Sequence, residues 1–258
     1  MVFFISACSF QEIDDRVTSL NKQEIENNTT IEQVFRYGRD FVIGSYFIDE
    51  FTISKGRNER ISNEYINIIK EYDILYVYGI ERRTFTEFSD MMLRLESHDY
   101  IVRSGDLFSM FIYNKNNLKF DKELILEDNI FTNEPHIVRF NVSDNKIITL
   151  IGVNINNRDA TMEIRKLDSL YNSISKNNKN VIIMGNLYAD CLYHNTNDLQ
   201  DYIWLINETT KHRNMCVYDN IIVKQNIYRN ILDYGVFSDV NNNYLLSSHY
   251  PIHFTLSS

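Results

Sequence analysis

The sequence predicts an α/β (α+β) fold in which two β-sheets pack face to face under a cover of helices. Three observations point there. Apolar runs of strand length recur from residue 41 to the chain end, and helical patterns are interleaved among them in mixed order. No Pro/Gly/Ser-rich linker breaks the 258 residues, and two-sheet folds run to this length as one domain. No internal repeat is visible.

Residues 1–40 read as an N-terminal extension and residues 41–258 as the domain. The extension opens on MVFFISACSF, which is apolar but lacks the basic n-region of a secretory signal and is at the short limit for an h-region. ISAC resembles a lipoprotein cleavage box ending at Cys8, so a true or truncated export signal is one reading. Residues 11–40 are polar and charged, with a short helix expected over TIEQVFRYGRD.

In the domain, FVIGSYFI (41–48) has a strand pattern. SNEYINIIKEY (62–72) then sets Tyr65, Ile66, Ile68 and Ile69 on one helical face behind a Ser cap. DILYVYGI (73–80) is an apolar strand, and EFSDMMLRLES a second helix. Strands follow at DYIVRS (99–104), LFSMFIY (107–113), ELILED (123–128), PHIVRFNV (135–142) and KIITLIGVNI (146–155). A helix over DATMEIRKLDSLYNSI (159–174) leads to the strand NVIIMGN (180–186). QDYIWLI is expected to be helical, and MCVYDNIIV (215–223) and HYPIHFTL (249–256) to be strands.

Composition narrows the function classes. A formal charge of −9 disfavours holding nucleic acid by bulk electrostatics, which needs clustered Lys/Arg. The short runs Arg57-Asn58-Glu59-Arg60 and Arg82-Arg83 read as solvated faces. No run of 18 or more apolar residues exists to cross a bilayer. Asparagine makes up about one residue in eight, far above ordinary usage, as translation of an AT-rich genome, viral for example, would give. N-x-S/T sequons stand at Asn27, Asn28, Asn141 and Asn207.

Three further segments carry chemistry: GNLYADCLY (185–193), CVYDN (216–220) and SSHYP (247–251) followed by IHFTL. In this order they resemble the deoxyribonuclease I family of the endonuclease/exonuclease/phosphatase superfamily, over residues 41–256. The resemblance implies a four-layer, two-sheet β-sandwich flanked by helices. It also implies two His–carboxylate dyads for acid–base work, a Glu for a divalent cation (Mg²⁺ or Ca²⁺), and Asp/Asn side chains around the scissile phosphate. A charged transition state and a poor alkoxide leaving group have to be stabilised by metal and proton transfer together.

Much of that set is changed here. The metal-binding Glu falls on Gly79, which offers no side-chain oxygen. The first His falls on Asn154, which cannot shuttle a proton, and its acidic partner falls near Leu107, with Asp106 one residue out of register. The phosphate-site Asp and Asn fall on Asn186 and Tyr188. Asp219 and His249 match the second dyad, while the Asp before that His is Ser248. The Asp219–His249 pair reads either as a hydrogen-bonded core pair or as the remnant of catalysis. Each missing acid–base group costs roughly 10² to 10⁴ in rate, so no cofactor is expected, with Mg²⁺ or Ca²⁺ needed only if activity survives. The family's DNA-contacting arginines fall on Glu81 and Asn133, which makes DNA binding doubtful.

By the same resemblance, Cys191 and Cys216 are the cysteines of the family's main disulfide, and free buried thiols are the other reading. A bridge would place the chain in a secreted or endoplasmic-reticulum setting, and its absence in a host cytoplasm. Mammalian deoxyribonuclease I binds monomeric actin by adding an exposed strand to an actin sheet. The residues at that strand here are Tyr100, Ile101 and Val102, and strand addition needs only a free edge and a few apolar side chains. His136 stands at another family contact, where a small residue is usual.

The expectation is therefore a monomeric pseudonuclease acting by protein binding, with actin the leading partner. The alternatives are a metal-dependent nuclease or phosphodiesterase with a rearranged site of Asp106, Asp190, Asp219 and His249, and a structural or immune-decoy relic.

Overall fold

Two six-stranded sheets hold most of the buried apolar side chains. The computed structural model describes residues 39–105, 107–126, 131–143, 146–188, 199–211, 216–237 and 246–257. All belong to the second of the two units into which the chain divides, Phe35–Ser258. Residues 30–38 of the helix expected over 30–40, and Cys8, Asn27, Asn28, Asp106, Asp190 and Cys191, lie outside the described residues, and Arg39 and Asp40 are not helical.

The first sheet has the order β11-β12-β1-β2-β4-β3, where β1 is Phe41–Phe47, β2 Ile74–Glu81, β3 His98–Arg103, β4 Leu107–Asn114, β11 Ile231–Val236 and β12 Ile252–Leu256. The second has the order β5-β6-β7-β8-β10-β9, where β5 is Lys119–Leu124, β6 His136–Ser143, β7 Lys146–Asn154, β8 Val181–Asn186, β9 Ile203–Trp204 and β10 Asp219–Val223. Each sheet is mixed: β1 runs parallel to β2 and β7 parallel to β8, and the other pairs are antiparallel. Both parallel pairs enclose helical crossovers, as parallel strands require.

Ile43, Tyr76, Phe111 and Phe254 of the first sheet interleave with Val138, Leu150, Ile182, Met184 and Ile221 of the second in one inter-sheet core. Outside the second sheet, α4 (Ala160–Ser175) lays Ile164, Leu167 and Tyr171 on Ile151, Val153, Ile183 and Ile222. The other helices are α1 (Ile53–Arg57), α2 (Glu59–Lys70), α3 (Phe85–Met92) and α5 (Gln225–Tyr228). Helix α2 buries Tyr65, Ile66, Ile68 and Ile69. The result is the expected layered sandwich.

Several local readings are corrected. Helix α2 starts earlier than its expected Ser cap: the Asn58 side chain accepts from Ile61 N–H, and Ser62 is a buried residue of the first turn that donates to Glu59 O. QDYIWLI is not helical, because Ile203 and Trp204 pair with Val223 and Ile222 as β9. The strand expected at 123–128 forms at Lys119–Leu124. Edge strand β11 was not anticipated. Among the described residues no helix is long and apolar enough to cross a membrane.

Candidate functional site

Strands β7, β8 and β10 end side by side at one rim of the second sheet, so the register that builds the sheet also assembles the site. Asn154 pairs with Asn186 across β7 and β8, and Asn186 with Asp219 across β8 and β10. From the first sheet come Gly79 at the end of β2 and His249 just ahead of β12.

The buried centre is a three-residue chain. His249 Nδ1 lies 2.5 Å from Asp219 Oδ2, and the Tyr78 hydroxyl donates to Asp219 Oδ1, also at 2.5 Å. Tyr78, Asp219 and His249 are all almost fully buried. Burial first, and then the Asp219 carboxylate, push the Tyr78 hydroxyl well above its ordinary pKa, so it stays a donor. Both carboxylate oxygens of Asp219 are thus engaged. Because Tyr78 stands on the first sheet and Asp219 on the second, the chain also bolts the sheets together.

An aromatic ring stands where the resemblance puts the metal-binding carboxylate. Gly79 has φ +91° and interrupts the pairing of β2 with β4 as a bulge, a conformation strained for any side chain. A Cβ there would meet Phe47 Cε2 at 2.4 Å and Cδ2 at 2.7 Å. The Phe47 ring stacks on Tyr78, with centroids 5.0 Å apart, and meets His249 edge-on at 4.7 Å. Sequence reasoning found the glycine but missed the ring, which comes from the far end of β1. An aromatic closing the strand beside a glycine bulge was the available signal.

A second missed residue is Asp49. Its Oδ1 accepts from Ser247 Oγ and Ser248 N–H, both at 3.0 Å, and its Oδ2 accepts from Ser248 Oγ. Burial raises this carboxyl, but the side-chain and backbone bonds from Ser248 and the His249 charge outweigh it, leaving its pKa below the ordinary value. The negative charge missing at Ser248 therefore reappears beside it, supplied from the turn after β1.

The remaining positions carry amides. Asn186 is fully buried, and its Oδ1 accepts from Tyr188 N–H at 3.1 Å. Its Nδ2 has no hydrogen-bond partner. Tyr188 has φ +46° and packs against Tyr218, ring centroids 5.0 Å apart. The Asn154 carbonyl accepts from Asn133 Nδ2 at 2.7 Å. Glu81 is paired with Arg83, and Leu107 is exposed. Mg²⁺ requires a shell of oxygen ligands, and the described residues here do not supply one. Gly79 supplies no side-chain ligand, and the oxygens of Asp49 and Asp219 are taken by protein donors. Among the described residues no three His, Cys, Asp or Glu side chains are grouped to hold a metal.

No family model matches the chain. Horse deoxyribonuclease-1 is 23% identical over 257 residues, covering 83% of this chain and 91% of its own length. A structure of humanized D. rerio TDP2 superposes with a TM-score of 0.65 at 12% identity, covering 85% of this chain and 99% of that one. The chain has the deoxyribonuclease I-like fold. Human deoxyribonuclease-1-like 1 is 23% identical over 185 residues, 61% of this chain; that match spans only 57% of the human protein. The deoxyribonuclease I-like homology is thus of low identity.

A different polar cluster lies where the two sheets' edges meet. Arg103 of β3 donates to Glu123 Oε1 of β5 through Nε and Nη2 at 3.0 and 2.7 Å, and to the Pro135 carbonyl at 3.1 Å. Its Nη1 also lies 2.6 Å from Glu134 Oε1. His136, fully buried beside it, has Nδ1 3.2 Å from Ser109 Oγ. Its Nε2 is 3.6 Å from Glu123 Oε1, beyond hydrogen-bond reach. Burial, and secondarily the Arg103 charge, push the His136 pKa down to about 3, so the ring is neutral and that contact is not an ion pair. The residues Tyr100, Ile101 and Val102 lie on β3, an outer strand of its sheet. Their side chains are half-buried: the Tyr100 hydroxyl is 2.9 Å from Ser89 Oγ, and Ile101 packs on the inter-sheet core. What β3 presents outward is chiefly backbone.

Proposed function

We propose that this deoxyribonuclease I-like protein is a pseudonuclease that acts by binding another protein along β3, with monomeric actin the leading candidate. The observation that carries the loss of catalysis is the Phe47 ring over Gly79, which occupies the space a ligating side chain would need. Proton transfer alone, from a dyad whose carboxylate is shared with Tyr78, leaves the charge of a phosphate transition state without a counter-ion. Strand β3 supports the binding half of the reading. It is an outer strand, and its backbone groups are the kind that β-augmentation uses. The chain works as a monomer, and DNA is not its ligand.

The test is a plasmid-nicking assay of the full chain with Mg²⁺, Mn²⁺ and Ca²⁺, run beside capture of monomeric actin. The expected result is no metal-dependent nicking, and actin retention that Val102→Lys abolishes, since an edge lysine blocks strand pairing. Nicking abolished by His249→Ala would overturn the inactive reading; no actin retention would overturn the partner.

One observation favours a second reading, a rearranged metal-dependent nuclease. The Asp219–His249 pair is intact at 2.5 Å, and Asp49 restores a carboxylate next to Ser248. That reading also needs Asp106 and Asp190, and the same nicking assay decides it.

Cys216 is buried ahead of β10 and disulfide-bonded. We take Cys191 as its counterpart, and a secreted or endoplasmic-reticulum setting as the consequence.

A further inference from the structure

Of the four N-x-S/T sequons, Asn141 and Asn207 lie among the described residues, and they differ in setting. Asn141 is half-buried inside β6, opposite Lys119 of β5 on one side and Ile147 of β7 on the other. A glycan on a half-buried asparagine inside a strand paired on both sides would obstruct formation of its ladder.

Asn207-Glu208-Thr209 sits in the loop between β9 and β10, with Asn207 and Glu208 exposed. The loop is pinned on either side of the tripeptide. Before it, Ile206 N–H donates to Asn220 Oδ1 at 3.1 Å and Asn220 Nδ2 returns a bond to the Ile206 carbonyl at 2.7 Å. After it, Thr210 Oγ accepts from Tyr218 and Asp219 N–H at 3.0 and 3.1 Å. The sequon is thus displayed at the surface while its flanks stay fixed. A second, independent observation is the disulfide at Cys216, farther along the same connection. Disulfides persist in the oxidising lumen where asparagine glycosylation takes place.

We propose that Asn207 carries an N-linked glycan. The Asn207 amide nitrogen attacks the anomeric carbon of a lipid-pyrophosphate-linked oligosaccharide. The C–N bond forms as the bond from that carbon to the pyrophosphate oxygen breaks. The lipid pyrophosphate leaves with the electron pair and the amide gives up one proton, so no oxidant or reductant is needed. Thr209 supplies the hydroxyl at the second position after the asparagine that the acceptor motif requires.

The placement has a functional consequence. Strand β9 closes the second sheet at the edge opposite β5, whereas β3 meets β5 through Arg103. A glycan at Asn207 therefore stands away from the β3 edge. It also stands near the dyad: Tyr250 N–H donates to the Thr210 carbonyl at 2.8 Å, and the Lys211 backbone pairs antiparallel with that of His249. The sugar screens the rim that a nuclease would keep open, and leaves the docking strand free.

The test is secretion of the full chain from eukaryotic cells behind a cleavable leader. Treatment with peptide:N-glycosidase in ¹⁸O-water then converts any glycosylated asparagine to labelled aspartate. The expected result is label at Asn207 in the unmutated chain, and one glycosidase-sensitive mobility step fewer in Asn207→Gln and in Thr209→Ala but not in Asn141→Gln. A secreted chain with no label at Asn207, or a glycosidase-sensitive mobility pattern unchanged by Asn207→Gln, overturns the proposal. Neither outcome depends on the nuclease or actin readings, because the label is read on the unmutated protein.

Discussion

The molecule buries two histidines at its sheet junctions and treats them differently. His249, at the cleft rim, has a carboxylate 2.5 Å away, shared with a tyrosine. His136, where the edges β3 and β5 approach each other, has a serine hydroxyl on one nitrogen, no hydrogen-bond partner on the other, and a guanidinium nearby. The first keeps the geometry of an acid–base pair; the second belongs to an ion network built around Arg103. The contrast teaches that a buried His–Asp pair can also serve cohesion, since its carboxylate ties a tyrosine of one sheet to a strand of the other. A buried histidine whose nearest carboxylate is already held by an arginine is a liability in acid.

The largest effect should come from cutting the first network. Asp219→Ala leaves the Tyr78 hydroxyl and the His249 ring facing each other across a void, and should cost about 3–5 kcal/mol in urea unfolding. A loss below about 1 kcal/mol would mean the pair does not join the sheets.

Next is Gly79→Glu, which restores the missing carboxylate in name. The positive φ and the clash with Phe47 should lower stability by about 2–3 kcal/mol. The melting temperature should be the same in EDTA and in Mn²⁺, and a Mn²⁺-dependent rise would show that the ring yields.

The third prediction concerns acid. The folded-state pKa of His136 is depressed to about 3, against roughly 6.5 for an unfolded histidine. Between these values the unfolded chain binds the extra proton, so stability falls as pH falls. The slope from this residue should be about 1.4 kcal/mol per pH unit, fully retained above pH ~6.5. His136→Leu should flatten the profile between pH 6 and 4 while leaving the Asp219–His249 pair intact.

The smallest effect belongs to Ser248→Asp. Asp49 accepts two bonds from Ser248, so a second carboxylate there loses one donor and adds like-charge repulsion. A loss of about 1 kcal/mol that shrinks at low pH is expected in denaturant titrations.

The parts of this molecule legible from sequence are those where one pattern decides the outcome. Strands β2, β7 and β8 are continuous apolar runs buried on both faces, and they read as strands without help. Strand β11 does not. It exposes Leu232, Asp233 and Tyr234 in succession and carries a bulge, so neither alternation nor an apolar run marks it. In QDYIWLI the buried Tyr202, Leu205 and Ile206 fall at helical spacing, but pairing with β10 overrides the local pattern. At the site, the chain-local segments exposed Gly79, Asn154, Asn186, Asp219 and His249. Phe47, Asp49 and the role of Tyr78 stayed hidden, because each depends on one element reaching another far away in sequence.

One pairing has a consequence for how this protein is made. Strand β1 is hydrogen-bonded to β12, with Phe41 opposite Leu256. The strand that opens the domain thus waits for the one that closes it. During translation β1 gains β2 on one flank early, and its other partner only once β12 has cleared the ribosome. The nascent chain therefore carries an unsealed apolar sheet for most of its synthesis, a period in which chaperones would have to hold it.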